Sequence, residues 1–113
     1  MEPLKLKLTF EQVERLCTYL WRLEKRARHP QAREELIVLV EFLPKAYRME
    51  QTALHRPHGK AYQYKLPVSV ARILHRRWQL EPIEEPLQAM LLIIDQELVN
   101  RRLRPNPMMP EIF

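Results

Sequence analysis

The chain has 113 residues, with ten prolines, one glycine, one cysteine and a formal net charge of +5. The single cysteine excludes a disulfide framework and a cysteine-based zinc site, and one glycine excludes a glycine-rich phosphate-binding loop. Apolar and charged contents near the globular average predict one folded domain. No segment reaches the ~20 apolar residues of a membrane span and no secretory signal opens the chain, so we expect a soluble cytoplasmic protein.

The first predicted elements are a short strand and a helix. Residues 4–8 read LKLKL, and this strict alternation is typical of a half-buried strand. Thr9 is placed to cap the following helix, with Gln12 completing a capping box. The helix is predicted to run from about Phe10 to Arg28, because its apolar residues recur with a period of 3.6.

The second predicted helix contains a proline. Pro44 would normally end or kink a helix, but the apolar stripe that begins at Leu36 continues in phase through Leu43 to Leu54. This continuity predicts one kinked helix ending at about His55. Residues 36–40 are apolar all round the helix, so we expect neighbours on several of its sides.

A turn, a second strand, two helices and a tail are predicted in the second half. HRPHGK contains the only glycine and fits a type I turn. AYQYKL then alternates, with Tyr62, Tyr64 and Leu66 on one face. Two helices follow, at about 68–80 and 87–103. The last segment, 105–113, is rich in proline and methionine and is predicted to be extended.

These elements predict a mainly α fold, a four-helix domain over residues 1–104 with a small two-stranded β-ribbon. VERLCTYLWRLE (13–24) and VARILHRRWQLE (70–81) share several positions. One interpretation is two pseudo-symmetric β-α-α units, 4–55 and 60–104, with their strands side by side and antiparallel. The other interpretation is chance similarity between amphipathic helices. The alignment places Arg77 opposite Leu20.

Two charged residues fall within apolar helix faces, Arg77 on helix 3 and Glu50 on helix 2. A charge in such a face must be paired, because its desolvation costs several kcal/mol. One hypothesis is that Arg77 and Glu50 form a buried ion pair. The alternatives are that Arg77 reaches solvent along its aliphatic stem, or that Glu50 lies beyond the end of its helix.

Two helices carry basic faces. The residues are Arg15, Arg22 and Arg26 on helix 1, and Arg72, Arg76 and the nearby His75 on helix 3. Such faces could bind a nucleic-acid backbone, and Arg77 could bind a partner's carboxylate or phosphate. We expect His75 and Arg76 to point outward. The alternative is a solvated surface balanced by acids.

Function is predicted as a non-enzymatic interaction module that forms a homo-oligomer or docks on a protein partner. The residues expected to serve assembly are Tyr62, Tyr64, Met108, Met109 and Phe113. The alternative function is a nucleic-acid-binding accessory protein using the basic faces of helices 1 and 3. No catalytic residues or cofactor are predicted. His55 and His58 make a poor metal site, because they lie three positions apart across a proline-containing turn and no nearby carboxylate could serve as a further ligand.

Overall fold

A computed structural model describes residues 2–27 and 33–101 of the chain. These residues form four helices and one two-stranded antiparallel sheet, which confirms the predicted mainly α fold with a small ribbon. In chain order the elements are β1 (Leu4–Leu8), α1 (Phe10–Ala27), α2 (Glu34–Leu54), β2 (Tyr62–Leu66), α3 (Val68–Trp78) and α4 (Glu85–Asn100).

The ribbon pairs β1 with β2 around a central pair, Leu6 and Tyr64, with Leu4 opposite Leu66. Because side chains alternate along a strand, one face is apolar and buried whereas the lysines point to solvent. An isolated two-stranded ribbon is marginally stable in water. Here its apolar face is buried in the same core as the helices, and β1 packs against α4.

Helix α1 begins with the predicted capping box. The Thr9 backbone N–H donates to Gln12 Oε1 at 2.8 Å, and the Gln12 backbone N–H donates to Thr9 Oγ1 at 3.3 Å. Leu8 and Val13, on either side of the cap, are both fully buried. The cap therefore fixes the angle at which the chain passes from ribbon to helix.

Helix α2 passes through Pro44 without ending, as its in-phase stripe predicted. The expectation that residues 36–40 have neighbours on several sides is correct only in part, because Leu36, Val38 and Val40 pack partly buried against the core but one residue does not. Leu39 is fully buried, whereas Ile37 is 43% exposed. The reason is that α2 packs against α1 and α3, and the described residues place no further element over its outer side.

The element order β-α-α occurs twice, and the two strands pair antiparallel as two symmetric units would require. One residue separates strand from helix in each half, Thr9 in the first and Pro67 in the second. Counting from the strand ends therefore places Arg77 opposite Tyr19, and Trp78 opposite Leu20. Trp78 is as deeply buried as Leu20, so the sequence alignment was wrong by one position. That the two units are a true repeat stays a prediction.

We expect the Thr9→Ala variant to lose about 1 kcal/mol of unfolding free energy, because the Gln12 N–H loses its acceptor. Thr9→Ser keeps a hydroxyl acceptor and should stay within a few tenths of a kcal/mol of wild type. Urea denaturation followed by circular dichroism measures both. Equal stability of the two variants would show that the Thr9 hydroxyl contributes nothing to the cap.

Candidate functional site

The last turn of α3 carries three adjacent basic residues, and the structure gives each one an acidic partner. His75 Nε2 donates to Asp95 Oδ1 of α4 at 2.8 Å. Arg76 pairs with Glu35 in the first turn of α2. The Arg77 guanidinium lies 2.7 Å from the carboxylate of Glu81, in the α3–α4 connection. Cations at a helix C-terminus also complement the helix dipole.

His75 was expected to point outward, and this expectation is wrong. The residue is only 8% exposed, and its imidazole lies between α3 and α4 beside the Gln79 side chain. Counting from the strand ends places His75 opposite Cys17 of α1, which is also buried. His75 therefore contributes to helix packing and offers no surface to a partner.

The hypothesis of a buried ion pair between Arg77 and Glu50 is also wrong. Arg77 Nε donates to the Tyr19 hydroxyl at 3.3 Å, and that hydroxyl donates to Glu81 Oε2 at 2.9 Å. Together with the ion pair of Arg77 and Glu81, these contacts form a closed cycle joining α1, α3 and the α3–α4 connection. Burial raises the pKa of Tyr19, so its hydroxyl stays a proton donor at neutral pH.

Distance along α2 explains why Glu50 is not the partner. The last turn of α3 meets Glu35, at the start of α2. Glu50 lies about 22 Å further along the same helix, at 1.5 Å per residue. It is half-buried, and desolvation together with the Glu14 carboxylate raises its pKa. Glu50 is therefore a carboxylate without a compensating cation among the described residues.

Cys17 is a buried thiol, as its position in the apolar stripe of α1 predicted. Its Sγ donates to the Ala46 carbonyl oxygen of α2 at 3.1 Å. Burial, aided by the Glu50 and Glu14 carboxylates, raises the pKa of Cys17 to about 12. The thiol is protonated at neutral pH, so it lacks the thiolate that a nucleophile needs.

The remaining arginines of the basic faces lie in different environments. Arg15 Nε is 3.4 Å from a carboxylate oxygen of Glu84. Arg72 is exposed beside an open depression of about 530 Å³ that is lined also by Pro3, Pro67, Val68 and Ser69. Arg22 and Arg26 are exposed and pair with no acid among the described residues.

Arg22 and Arg26 line a narrower cleft of about 250 Å³ between α1 and the α3–α4 connection. The other lining residues are Tyr19, Leu23, Glu81, Pro82, Ile83, Glu84 and Leu87. Sequence reasoning missed this cleft, because its walls come from segments some sixty positions apart. One available signal was that no acid lies one turn before Arg22 to neutralise it, since Thr18 and Tyr19 occupy those positions.

The two tyrosines of β2 were expected to serve assembly or to stack bases. Tyr64 is buried, so that role is wrong for this residue. Tyr62 is half-buried, and the Arg56 guanidinium lies over its ring at 4.8 Å and over the Tyr64 ring at 5.3 Å. The rings therefore cover the core and bind an internal cation. The other assembly candidates, Met108, Met109 and Phe113, lie outside the described residues.

Two further kinds of site, a metal site and a membrane-spanning helix, do not occur among the described residues. Within residues 2–27 and 33–101, no group of three or more potential metal ligands comes together. The helices of the same residues include none long and apolar enough to cross a membrane. Comparison of the chain with protein-family models, curated proteins and solved structures finds no match. The candidate site is therefore interpreted from its own geometry.

We expect Arg77→Gln to lower the unfolding free energy by about 1–2 kcal/mol, because the Glu81 carboxylate and the Tyr19 hydroxyl lose a charged partner. Arg72→Gln removes the same charge from an exposed position of the same helix and should change stability by less than about 0.5 kcal/mol. Urea denaturation compares the two, and equal losses would mean that the cycle around Arg77 contributes no stability.

Glu50→Gln should stabilise the protein at pH 7 and have no such effect below about pH 4. Because the pKa of Glu50 is raised in the folded state, folding favours its protonated form. The unfolding free energy of wild type therefore falls as the pH rises from the ordinary glutamate pKa through the raised pKa of Glu50 in the folded state. Glutamine does not ionise and escapes this loss.

Urea midpoints measured between pH 4 and pH 8 test this effect of Glu50. The exposed Glu41→Gln on the same helix is the control for removing one negative charge. A stability gain of Glu50→Gln that does not depend on pH would contradict the explanation.

Proposed function

We propose that this protein is a non-enzymatic interaction module that assembles through the outer face of α4. This face consists of Ala89, Leu92, Gln96 and Val99, all of them exposed. The observation that carries the proposal is Leu92, which is 72% exposed in the middle of a helix whose opposite side is fully buried. Large apolar groups in water favour association, because burying one leucine is worth about 1.5–3 kcal/mol.

The spacing along this face supports helix pairing. Its residues follow one another at intervals of three, four and three positions, which is the seam spacing of a coiled coil. Gln96 is the one polar member, and a single polar residue in such a seam selects register at some cost in stability. The face is therefore suited to one partner helix lying along α4.

Other exposed apolar side chains support α4 as the choice of surface. Leu80 is 84% exposed but lies alone, outside the helices. On α2, Tyr47 and Leu54 also lie seven positions apart, but they are 41% and 49% exposed, less than Leu92. Single exposed apolar residues are normal on folded proteins, whereas an aligned set marks an interface. Leu92 and Val99 lie two turns apart on one side of the same helix.

The proposed occupant of this face is α4 of a second copy. A twofold axis is the commonest symmetry of oligomers and makes a self-complementary patch sufficient. Antiparallel pairing would place the N-terminus of each α4 beside the C-terminus of the other, where the helix dipoles attract. No catalytic step is required of any residue in this proposal.

Sedimentation equilibrium at several protein concentrations tests the proposal. We expect wild type to show a mass that rises with concentration toward a dimer. Leu92→Glu should stay monomeric at the same concentrations, because a buried carboxylate would have no partner in the seam. Gln51→Glu, which adds the same charge at an exposed position of α2, should associate like wild type. A monomeric wild type, or an associating Leu92→Glu, would contradict the proposal.

Nucleic-acid binding through the basic faces of α1 and α3 is the rival outcome. Fewer arginines of these faces are available to contact phosphates, because Arg15 and Arg76 already pair with Glu84 and Glu35. A salt-dependent mobility shift of an oligonucleotide that is lost in the Arg72→Ala/Arg76→Ala variant would favour the rival.

A further inference from the structure

We propose that the cleft between α1 and the α3–α4 connection binds an acidic segment of a protein partner that also carries apolar side chains. This surface is separate from the outer face of α4, and binding there does not require self-association. The proposal rests on three properties of the cleft: its apolar wall, its unpaired arginines and the internal pairing of its carboxylates.

Part of the cleft wall is apolar. Leu23 of α1 and Leu87 of α4 form buried parts of it, and Pro82 and Ile83 line the side formed by the α3–α4 connection. Pro82 within this connection and Pro86 in the first turn of α4 restrict the backbone here. The cleft is thus a preformed slot that fits an aliphatic or aromatic side chain.

Two of the cations around the cleft have no acidic partner among the described residues. Glu81 is bound by Arg77 and by the Tyr19 hydroxyl, and Glu84 lies 3.4 Å from Arg15. Both acids of the cleft are therefore neutralised inside the molecule. Arg22 and Arg26, which line the same cleft, have no acidic partner among the described residues.

The two arginines also repel each other. They are four positions apart on α1, so their side chains are neighbours on the helix surface, and Lys25 adds a third positive charge to this turn. The helix C-terminus accepts positive charge, but it does not pair the guanidinium groups. A ligand carboxylate that bridges Arg22 and Arg26 would relieve this repulsion and accept bidentate hydrogen bonds.

A peptide fits this combination better than a nucleic-acid backbone. A phosphodiester chain offers no apolar side chain for the slot lined by Leu23, Ile83 and Leu87. A peptide with Asp or Glu next to Leu, Ile or Phe presents both required groups. The structure thus favours an acidic peptide with apolar neighbours as the ligand.

Selection from a phage-displayed random-peptide library on the immobilised full chain tests the proposal. We expect the enriched peptides to carry Asp or Glu beside Leu, Ile or Phe. The strongest of them is then synthesised with a fluorescent label, and its Kd is measured by anisotropy. Arg22→Gln/Arg26→Gln should weaken this peptide by about tenfold or more, the effect of losing one charge-assisted contact. Ile83→Ala should weaken it as well, although the arginines remain.

The matched control is Arg48→Gln/Arg72→Gln, which removes the same charge from exposed positions outside the cleft and should change Kd by less than about threefold. Circular dichroism confirms that each variant is folded. Leu92→Glu should bind the peptide like wild type, so failure of α4 self-association and failure of the cleft proposal are distinguishable.

Three outcomes would overturn the cleft proposal. One is a selection in which peptides with Asp or Glu beside Leu, Ile or Phe are not enriched. Another is equal weakening by the two double-arginine variants, which would show nonspecific attraction to net charge. The last is binding of a single-stranded oligonucleotide that depends on Arg22 and Arg26, with no peptide binding, which would assign the cleft to nucleic acid.

Discussion

The last turn of α3 connects to the other three helices through hydrogen bonds and ion pairs, and these contacts set how α3 lies against its neighbours. His75 binds Asp95 of α4, Arg76 pairs with Glu35 of α2, and Arg77 joins Glu81 and Tyr19 of α1. A helix of eleven residues is too short to be stable alone in water. Its apolar face packs on the core, and its last turn fixes where each neighbouring helix meets it.

This internal pairing makes the last turn of α3 a poor interaction surface. Three adjacent basic residues suggest a site for an acidic partner, but such a partner would have to displace intramolecular carboxylates. The same pairing neutralises Glu81, which leaves the positive charge of the neighbouring cleft to Arg22 and Arg26. Among the described helices, the large apolar side chain with the highest exposed fraction is Leu92, on α4. The proposed surfaces therefore lie on α1 and α4.

Local patterns predicted the elements because each depends on residues close in sequence. The alternation of 4–8, the Thr9 and Gln12 capping box and the in-phase stripe across Pro44 all appear in the structure. The partner of Arg77 could not be predicted in this way, since the choice between Glu50 and Glu81 depends on which end of α2 meets α3. The burial of His75 and the cleft walls depend likewise on packing between distant segments.

Arg77 and Tyr19 stabilise the domain together, and a double-mutant cycle measures the coupling between them. The unfolding free energies of Tyr19→Phe, Arg77→Gln and the double variant would be measured by urea denaturation against wild type. Direct contact at 3.3 Å predicts a coupling energy of about 1 kcal/mol, with the double variant losing less than the two single variants summed. Strictly additive losses would contradict the account.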